Sequence, residues 1–302
     1  MPAVANTDLL LLTAASGKQI GALLPLLTEW KRLRLVVHSE SSARKLSAQY
    51  PAAEVVQVDL TSSDNIRLIL KNVNVVVHVG PPFHPKEVDI GCMMVDAARK
   101  SCNNGSGPLK HFIFSSVIGG QLSSMVHHVA KRRVEEHLIE SGLPFTILQP
   151  STFLDNIPVA RLIEEPVYPE LWNLDTRFSF TTLRDNAEAL HRVLMEREEH
   201  FFAQYPIIST KSPTSSREVL SVIEKKINRE IEIKPLEKDA AAELLLERAS
   251  DSGAYAKEAV ELMAKFYNTN GLLGNAKVLK MIIGREPMQV AEWLDWALEQ
   301  AQ

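Results

Sequence analysis

Apolar positions in the first half of the chain fall in short unbroken runs, with helical periodicity filling the intervals. The runs are Leu9 to Leu12, Leu33 to His38, Glu54 to Val58, Asn74 to Val79, His111 to Ser115 and Phe145 to Leu148. Each is rich in aliphatic, β-branched or aromatic residues and too short for a globular helix, which predicts strands. They lack the strict alternation of a half-exposed sheet, as parallel strands covered on both faces do. Ala43 to Gln49, Ser63 to Leu70, Val88 to Lys100 and Val129 to Ser141 read as helices, the last closed by Gly142. Strand and helix in alternation predict an α/β chain with a Rossmann-like, doubly wound parallel sheet.

The rhythm changes after Pro150. Ser151 to Trp172 is irregular, Arg177 to Thr182 and Tyr205 to Ile208 read as strands, and Asp185 to Glu196 as a helix. Ser215 to Ile227 reads as a helix, Glu230 to Pro235 as a strand, and the remainder is mainly helical, ending in Met288 to Gln300. The pattern divides the chain into a dinucleotide-binding core of residues 1–150, with 183–200 returning to it, and a smaller mixed α+β substrate lobe of residues 151–182 and 201–302. The cluster Asn103 to Pro108 is a predicted surface loop.

Composition narrows the classes of function. The 302 residues are 45% hydrophobic and 23% charged, an ordinary globular balance. A formal net charge of -4 and the absence of a basic stripe argue against a nucleic-acid partner. The two cysteines, Cys92 and Cys102, give neither a disulfide framework nor metal-ligand spacing, so no metal is expected. The opening apolar run is far shorter than the ~20 residues of a membrane span and follows no basic segment. A cytoplasmic protein is expected, monomeric or homodimeric, taking a small-molecule substrate and no membrane.

Candidate chemistry begins where the first run ends. Thr13-Ala14-Ala15-Ser16-Gly17-Lys18-Gln19-Ile20-Gly21 joins a buried strand to helical residues, as a turn does that presents backbone N–H groups to a pyrophosphate. Ala14 stands where such turns place their first glycine, and Gly17 and Gly21 lie four apart, on one helical face suited to close packing. The predicted helix continues through Ala22-Leu23-Leu24 and Leu26-Leu27. Val79-Gly80-Pro81-Pro82-Phe83 ends the fourth run in a turn of small residues and prolines, and Phe114-Ser115-Ser116-Val117 ends the fifth in two hydroxyls. His127 and Lys131, four apart on a helix, share one face.

With the Thr13 to Gly21 turn, Val56 to Leu60, His78 to Phe83, Phe112 to Val117, the Lys131 helix and Leu148 to Phe153 in view, the chain resembles an atypical short-chain dehydrogenase/reductase of the NmrA-like group. The fungal members, linked to secondary metabolism, are particularly similar. The resemblance covers nearly the whole chain. It implies that Asp59, with Leu60, sits beside the adenine and that Lys131 contacts the nicotinamide ribose. It further implies that Ser115 or Ser116 takes the catalytic serine position and that His127 replaces the usual tyrosine. Thr13, Ala15, Ser16, Gly17, Gln19, Val79, Gly80, Pro81, Pro150 and Phe153 complete the implied cofactor contacts. A histidine beside a cationic lysine tends to be neutral, yet a neutral imidazole still donates a hydrogen bond or acts as a base. His128 beside it is the other histidine able to face the site.

At the end of the second run an acidic side chain would bind an adenine ribose, but His38 stands there. Ser39, Ser41 and Ser42 are hydrogen-bond donors, and Arg44 and Lys45 suit a 2′-phosphate, which favours NADP (as NADPH) over NAD. Glu40 argues the other way. Phe153, Trp172, Phe178, Phe180, Met263, Phe266 and Tyr267 are candidates to line a pocket for an apolar or aromatic substrate, and equally for core packing. The sequence points to an NADP(H)-dependent oxidoreductase. Its alternatives are an NADP-binding redox sensor without turnover and a non-redox isomerase or cyclase on the same fold.

Overall fold

Leu9, Leu10, Leu11 and Leu12 are all buried because this strand lies in the middle of a sheet with helices on both faces. The computed structural model describes residues 7–105, 107–246 and 253–300. In chain order the core contains β1 (Leu9–Leu12), α1 (Lys18–Leu23), β2 (Arg32–Val37), α2 (Glu40–Gln49), β3 (Glu54–Gln57), α3 (Ser63–Ile69), β4 (Val75–Val79), α4 (Glu87–Cys102), β5 (His111–Ser115), α5 (Val126–Glu140) and β6 (Phe145–Pro150). There follow α6 (Val159–Glu164), β7 (Val167–Glu170), β8 (Arg177–Phe178), α7 (Leu183–Glu196), β9 (Ala203–Ile207), β10 (Thr214–Ser215), α8 (Ser216–Ile227) and β11 (Glu232–Pro235). Helices α9 (Lys238–Leu246), α10 (Ala254–Tyr267), α11 (Lys277–Ile283) and α12 (Val290–Gln300) end the described chain.

The central sheet has seven parallel strands in the order β3-β2-β1-β4-β5-β6-β9. Alternate side chains divide it between two cores. Leu10, Leu12, Val75, Val77 and Ile113 pack with Leu190 of α7 and Leu279 of α11. Leu9, Leu11, Val76, Phe112 and Phe114 pack with Met94 of α4 and Val134 of α5. Each fully buried aliphatic side chain contributes about 1.5–3 kcal/mol relative to exposure, so the two-faced pattern fixes the strand register. A third core, built on Leu154, Phe178, Val219, Met263 and Trp293, holds the remaining elements together.

Several boundaries differ from the sequence reading for identifiable reasons. Helix α1 stops at Leu23 and gives way to a 3-10 turn, Leu24–Leu26, because the Pro25 ring would meet the Gly21 carbonyl in a continued helix. Residues 151–172, read as irregular, contain α6 and β7, and β7 pairs in parallel with the distant β11. The predicted strand from Arg177 to Thr182 is regular only over Arg177–Phe178, beyond which Phe180 and Thr182 donate their N–H groups to Thr210 and Ser209 side chains. Strand β9 lies outside the 183–200 return assigned to the core, yet it pairs with β6 and covers what would otherwise be an open edge. Gly142 follows α5 at φ +73°, the left-handed position its closing role requires. Among the described residues no helix is long and apolar enough to cross a membrane.

Candidate functional site

The carboxyl ends of β1, β4, β5 and β6 come together at one edge of the sheet. There Thr13 donates its N–H to Val77 O at 3.1 Å and Ala15 to Val36 O at 3.0 Å. Ala14, held between them, adopts φ +49°, the left-handed conformation a glycine would take without steric cost. The turn closes through Gly17 N–H to Ala14 O at 2.8 Å, and a Cβ at Gly17 would stand 3.1 Å from that oxygen. A side chain at Gly17 would therefore be crowded by that oxygen. Gly21 is exposed and a Cβ there meets nothing within 4 Å, so the close packing expected of it does not occur.

Several predicted cofactor contacts in this turn hold the protein to itself. The buried Thr13 hydroxyl accepts the Val79 N–H at 2.8 Å and lies 3.1 Å from both Val79 O and His78 Nδ1, tying β1 to β4. Gln19 Oε1 accepts from Ser115 Oγ at 2.7 Å and from Asn186 Nδ2 at 3.4 Å. Lys18 Nζ reaches across to Asp155 O at 2.9 Å and Asn156 Oδ1 at 3.4 Å. The Ser16 side chain is exposed, and the first N–H groups of α1 have no carbonyl within the helix.

At the ends of β2 and β3, His38 is exposed and its carbonyl accepts from Gln57 Nε2 at 3.2 Å. Ser39 caps α2, its Oγ accepting the Ser42 N–H at 3.2 Å. Arg44 pairs with Glu40 one helical turn away, and both are well exposed, so the pair itself stabilises little. Asp59 accepts from Thr61 N–H and Thr61 Oγ1, both at 2.8 Å, and these bonds hold its carboxyl below the usual range. Leu60 packs at the margin of the second sheet core.

The ends of β4 and β5 carry a denser cluster. Lys131 Nζ donates to Glu87 Oε1 at 2.6 Å, with the two side chains only 13% and 3% exposed. Glu87 opens α4, and burial raises its carboxyl pKa while Lys131 opposes that rise. Its second oxygen, Oε2, has no hydrogen-bond partner among the described residues. Gly80 makes room for the paired oxygen, since a Cβ there would stand 3.3 Å from Glu87 Oε1. Ser116 Oγ is buried beside the Glu135 carboxyl, whose pKa burial raises while hydrogen bonding from the Ser116 hydroxyl and from Gln149 Nε2, the latter at 2.9 Å, opposes the rise.

The two neighbouring histidines separate in role. His128 donates from Nδ1 to Gly119 O at 3.2 Å and is pushed down to about 4, mainly by burial. His127 packs on Phe83 at 4.9 Å, leaves Nδ1 without a partner and is held well below its ordinary range by burial, His128 and Lys131. Phe83 itself sits at φ +58°, strained backbone in the proline turn. His78, stacked on Phe114 at 5.8 Å, is fully buried and pushed down to about 3. Val79 and Pro81 are partly exposed, Pro150 is buried and accepts from Ile118 N–H at 2.9 Å, and Phe153 bridges to Thr181.

Glu87 was not among the residues singled out from sequence, where an acid in the first turn of a helix reads as a favourable end charge. Tyr255 was likewise missed. It is half-buried on α10, which packs on α5, and its phenol is raised by burial and then by the Glu87 charge. The proposed aromatic pocket is not found in that form: Phe178, Phe180, Met263 and Tyr267 are buried in the third core. Trp172 alone of that set lines a groove of about 800 Å³, with Glu170 and Pro235 at the ends of β7 and β11 and Val260, Ala264 and Lys265 of α10.

A model described as the NmrA-like family matches residues 6–298. No curated protein matches the sequence. Among solved structures the chain is similar to an NADPH-dependent quinone oxidoreductase from Escherichia coli, complexed with NADPH, at 18% identity and TM-score 0.73, covering 96% of this chain and 100% of that one. It is similar to the Citrobacter sp. triphenylmethane reductase complexed with NADP(H), at 16% identity and TM-score 0.75, covering 96% and 99%. It is also similar to NmrA, a negative transcriptional regulator, in complex with NAD, at 14% identity and TM-score 0.73, covering 96% and 95%. At such identities the likeness is one of fold.

Proposed function

This chain belongs to the NmrA-like family, and on that premise we propose that it is an NADP(H)-dependent oxidoreductase reducing a carbonyl, enone or imine of a small, largely apolar metabolite. Fungal secondary metabolism is the setting the sequence resemblance favours, and the two free thiols, Cys92 and Cys102, suit a reducing cytoplasm. The observation that carries the reading is the pair of buried atoms beside Lys131 that have no partner among the described residues, Glu87 Oε2 and His127 Nδ1. An unpaired buried polar atom costs about 1–3 kcal/mol, so two beside one lysine suit a ligand rich in hydroxyl and amide groups.

In this reading Ser16, Gly17 and the first N–H groups of α1 hold the pyrophosphate. Ser39 and Arg44 take the 2′-phosphate once Arg44 leaves Glu40, and Asp59 and Leu60 flank the adenine. Val79, Gly80, Pro81, Pro150 and Phe153 wall the nicotinamide, and Lys131 holds its ribose. The bound dinucleotide supplies hydride. His127, neutral at pH 7, donates a hydrogen bond to the acceptor atom of the substrate, and Ser116, bonded to Glu135, assists in place of Ser115, which is engaged by Gln19. Single-turnover mixing of the protein and NADPH with quinones, enones and aromatic aldehydes tests this. Loss of nicotinamide absorbance with at least one class supports it, and tight binding without oxidation by any of them contradicts it.

The second reading, a redox sensor that binds the dinucleotide without turnover, is favoured by the lack of a ready proton donor. His127 resists protonation and Ser115 is already bonded. A protein partner whose affinity differs between NADP and NADPH would support it, and equal affinity in both states would remove it.

A further inference from the structure

The Glu87–Lys131 pair is incomplete in a specific way. Lys131 Nζ spends one N–H on Glu87 Oε1 and retains two, while Glu87 Oε2 spends none of its accepting capacity although the side chain is 97% buried. A spare acceptor beside spare donors matches a vicinal diol, in which each hydroxyl both donates and accepts. The Glu87 side chain packs directly on Gly80, just past the end of β4, where a Cβ would stand 3.3 Å from Oε1, so the missing side chain lets the pair lie close against the strand end. From this complementarity we infer that Glu87 is a cofactor-binding residue: with Lys131 it clamps the nicotinamide-ribose diol, Oε2 accepting from one hydroxyl while Nζ donates to the other. The inference rests on the dinucleotide reading above and adds a carboxylate to the ribose site.

Isothermal titration of NADPH, of an NADPH analogue lacking both nicotinamide-ribose hydroxyls, and of 2′,5′-ADP into wild-type and Glu87→Gln protein tests the clamp. Wild-type protein is expected to bind NADPH about ten- to a hundredfold more tightly than the dideoxy analogue, the range for hydrogen bonds to charged groups. Glu87→Gln is expected to lose most of that advantage while 2′,5′-ADP, which carries only the adenine half, keeps its affinity. Equal wild-type affinity for NADPH and the dideoxy analogue overturns the clamp, and needs no variant that folds. Glu87→Gln protein that binds NADPH as tightly as wild type, or more tightly, overturns it as well. Wild-type protein that binds none of the probes overturns the dinucleotide reading and the clamp together, whereas binding of 2′,5′-ADP with no preference for the diol overturns the clamp alone.

Discussion

Ala14 and Lys131 show how far one residue's chemistry depends on what surrounds it. A non-glycine residue in the left-handed region costs roughly 1–2 kcal/mol, and replacing it by glycine returns about 0.5–1 kcal/mol of that as unfolded-chain entropy. Ala14→Gly, at φ +49°, is therefore expected to stabilise the protein by up to about 1 kcal/mol, read as a higher urea midpoint with unchanged slope. Gly17→Ala is expected to destabilise it, since the new Cβ would press on Ala14 O. The departure from the usual turn is thus a conformational strain carried by one residue, and the turn keeps its shape. Lys131 was singled out by its spacing to His127 together with the family resemblance, but its partner was not. Glu87 lies 44 positions earlier in sequence, and only the packing of α4 on α5 brings the two together.

At the scale of elements, the strands of the central sheet were legible wherever a run is apolar on both faces, because burial on both sides leaves no other place for such a segment. β5 matched its run from His111 to Ser115, and β4 lost only Asn74. The pairing of β7 with β11 and the addition of β9 to the sheet edge were not legible, since each depends on a partner far along the chain. In the proposed function, the choice between NADP and NAD falls to the β2–α2 junction. Arg44 points along an exposed helix toward Glu40, bound by an ion pair that water and salt weaken. Arg44→Ala is expected to lower NADPH affinity about tenfold and to leave NADH affinity nearly unchanged, as loss of one charge-assisted phosphate contact would. Parallel titrations of the two dinucleotides check it, and an equal effect on both would place Arg44 outside the 2′-phosphate site.

Across the whole molecule the buried histidines set the response to acid. His78 and His111 are pushed down to about 3 and His128 to about 4 by burial, against an ordinary value of 6.5. Between those limits the unfolded chain binds protons that the folded chain refuses, so stability falls as pH drops below 6.5, by roughly 1 kcal/mol per group per pH unit. Glu87, Glu135 and Asp155, raised by burial, act in the opposite sense and offset part of the loss. Urea midpoints measured from pH 7 to pH 5 are expected to decline, and His111→Gln to make the decline shallower. The central claim concerns the strand edge where the turn, Lys131 and Glu87 meet. Titrating NADPH and NADH into the purified protein while following nicotinamide fluorescence tests it most directly. Saturable binding, with NADPH tighter by about tenfold, is the predicted result; no saturable change with either dinucleotide would contradict it.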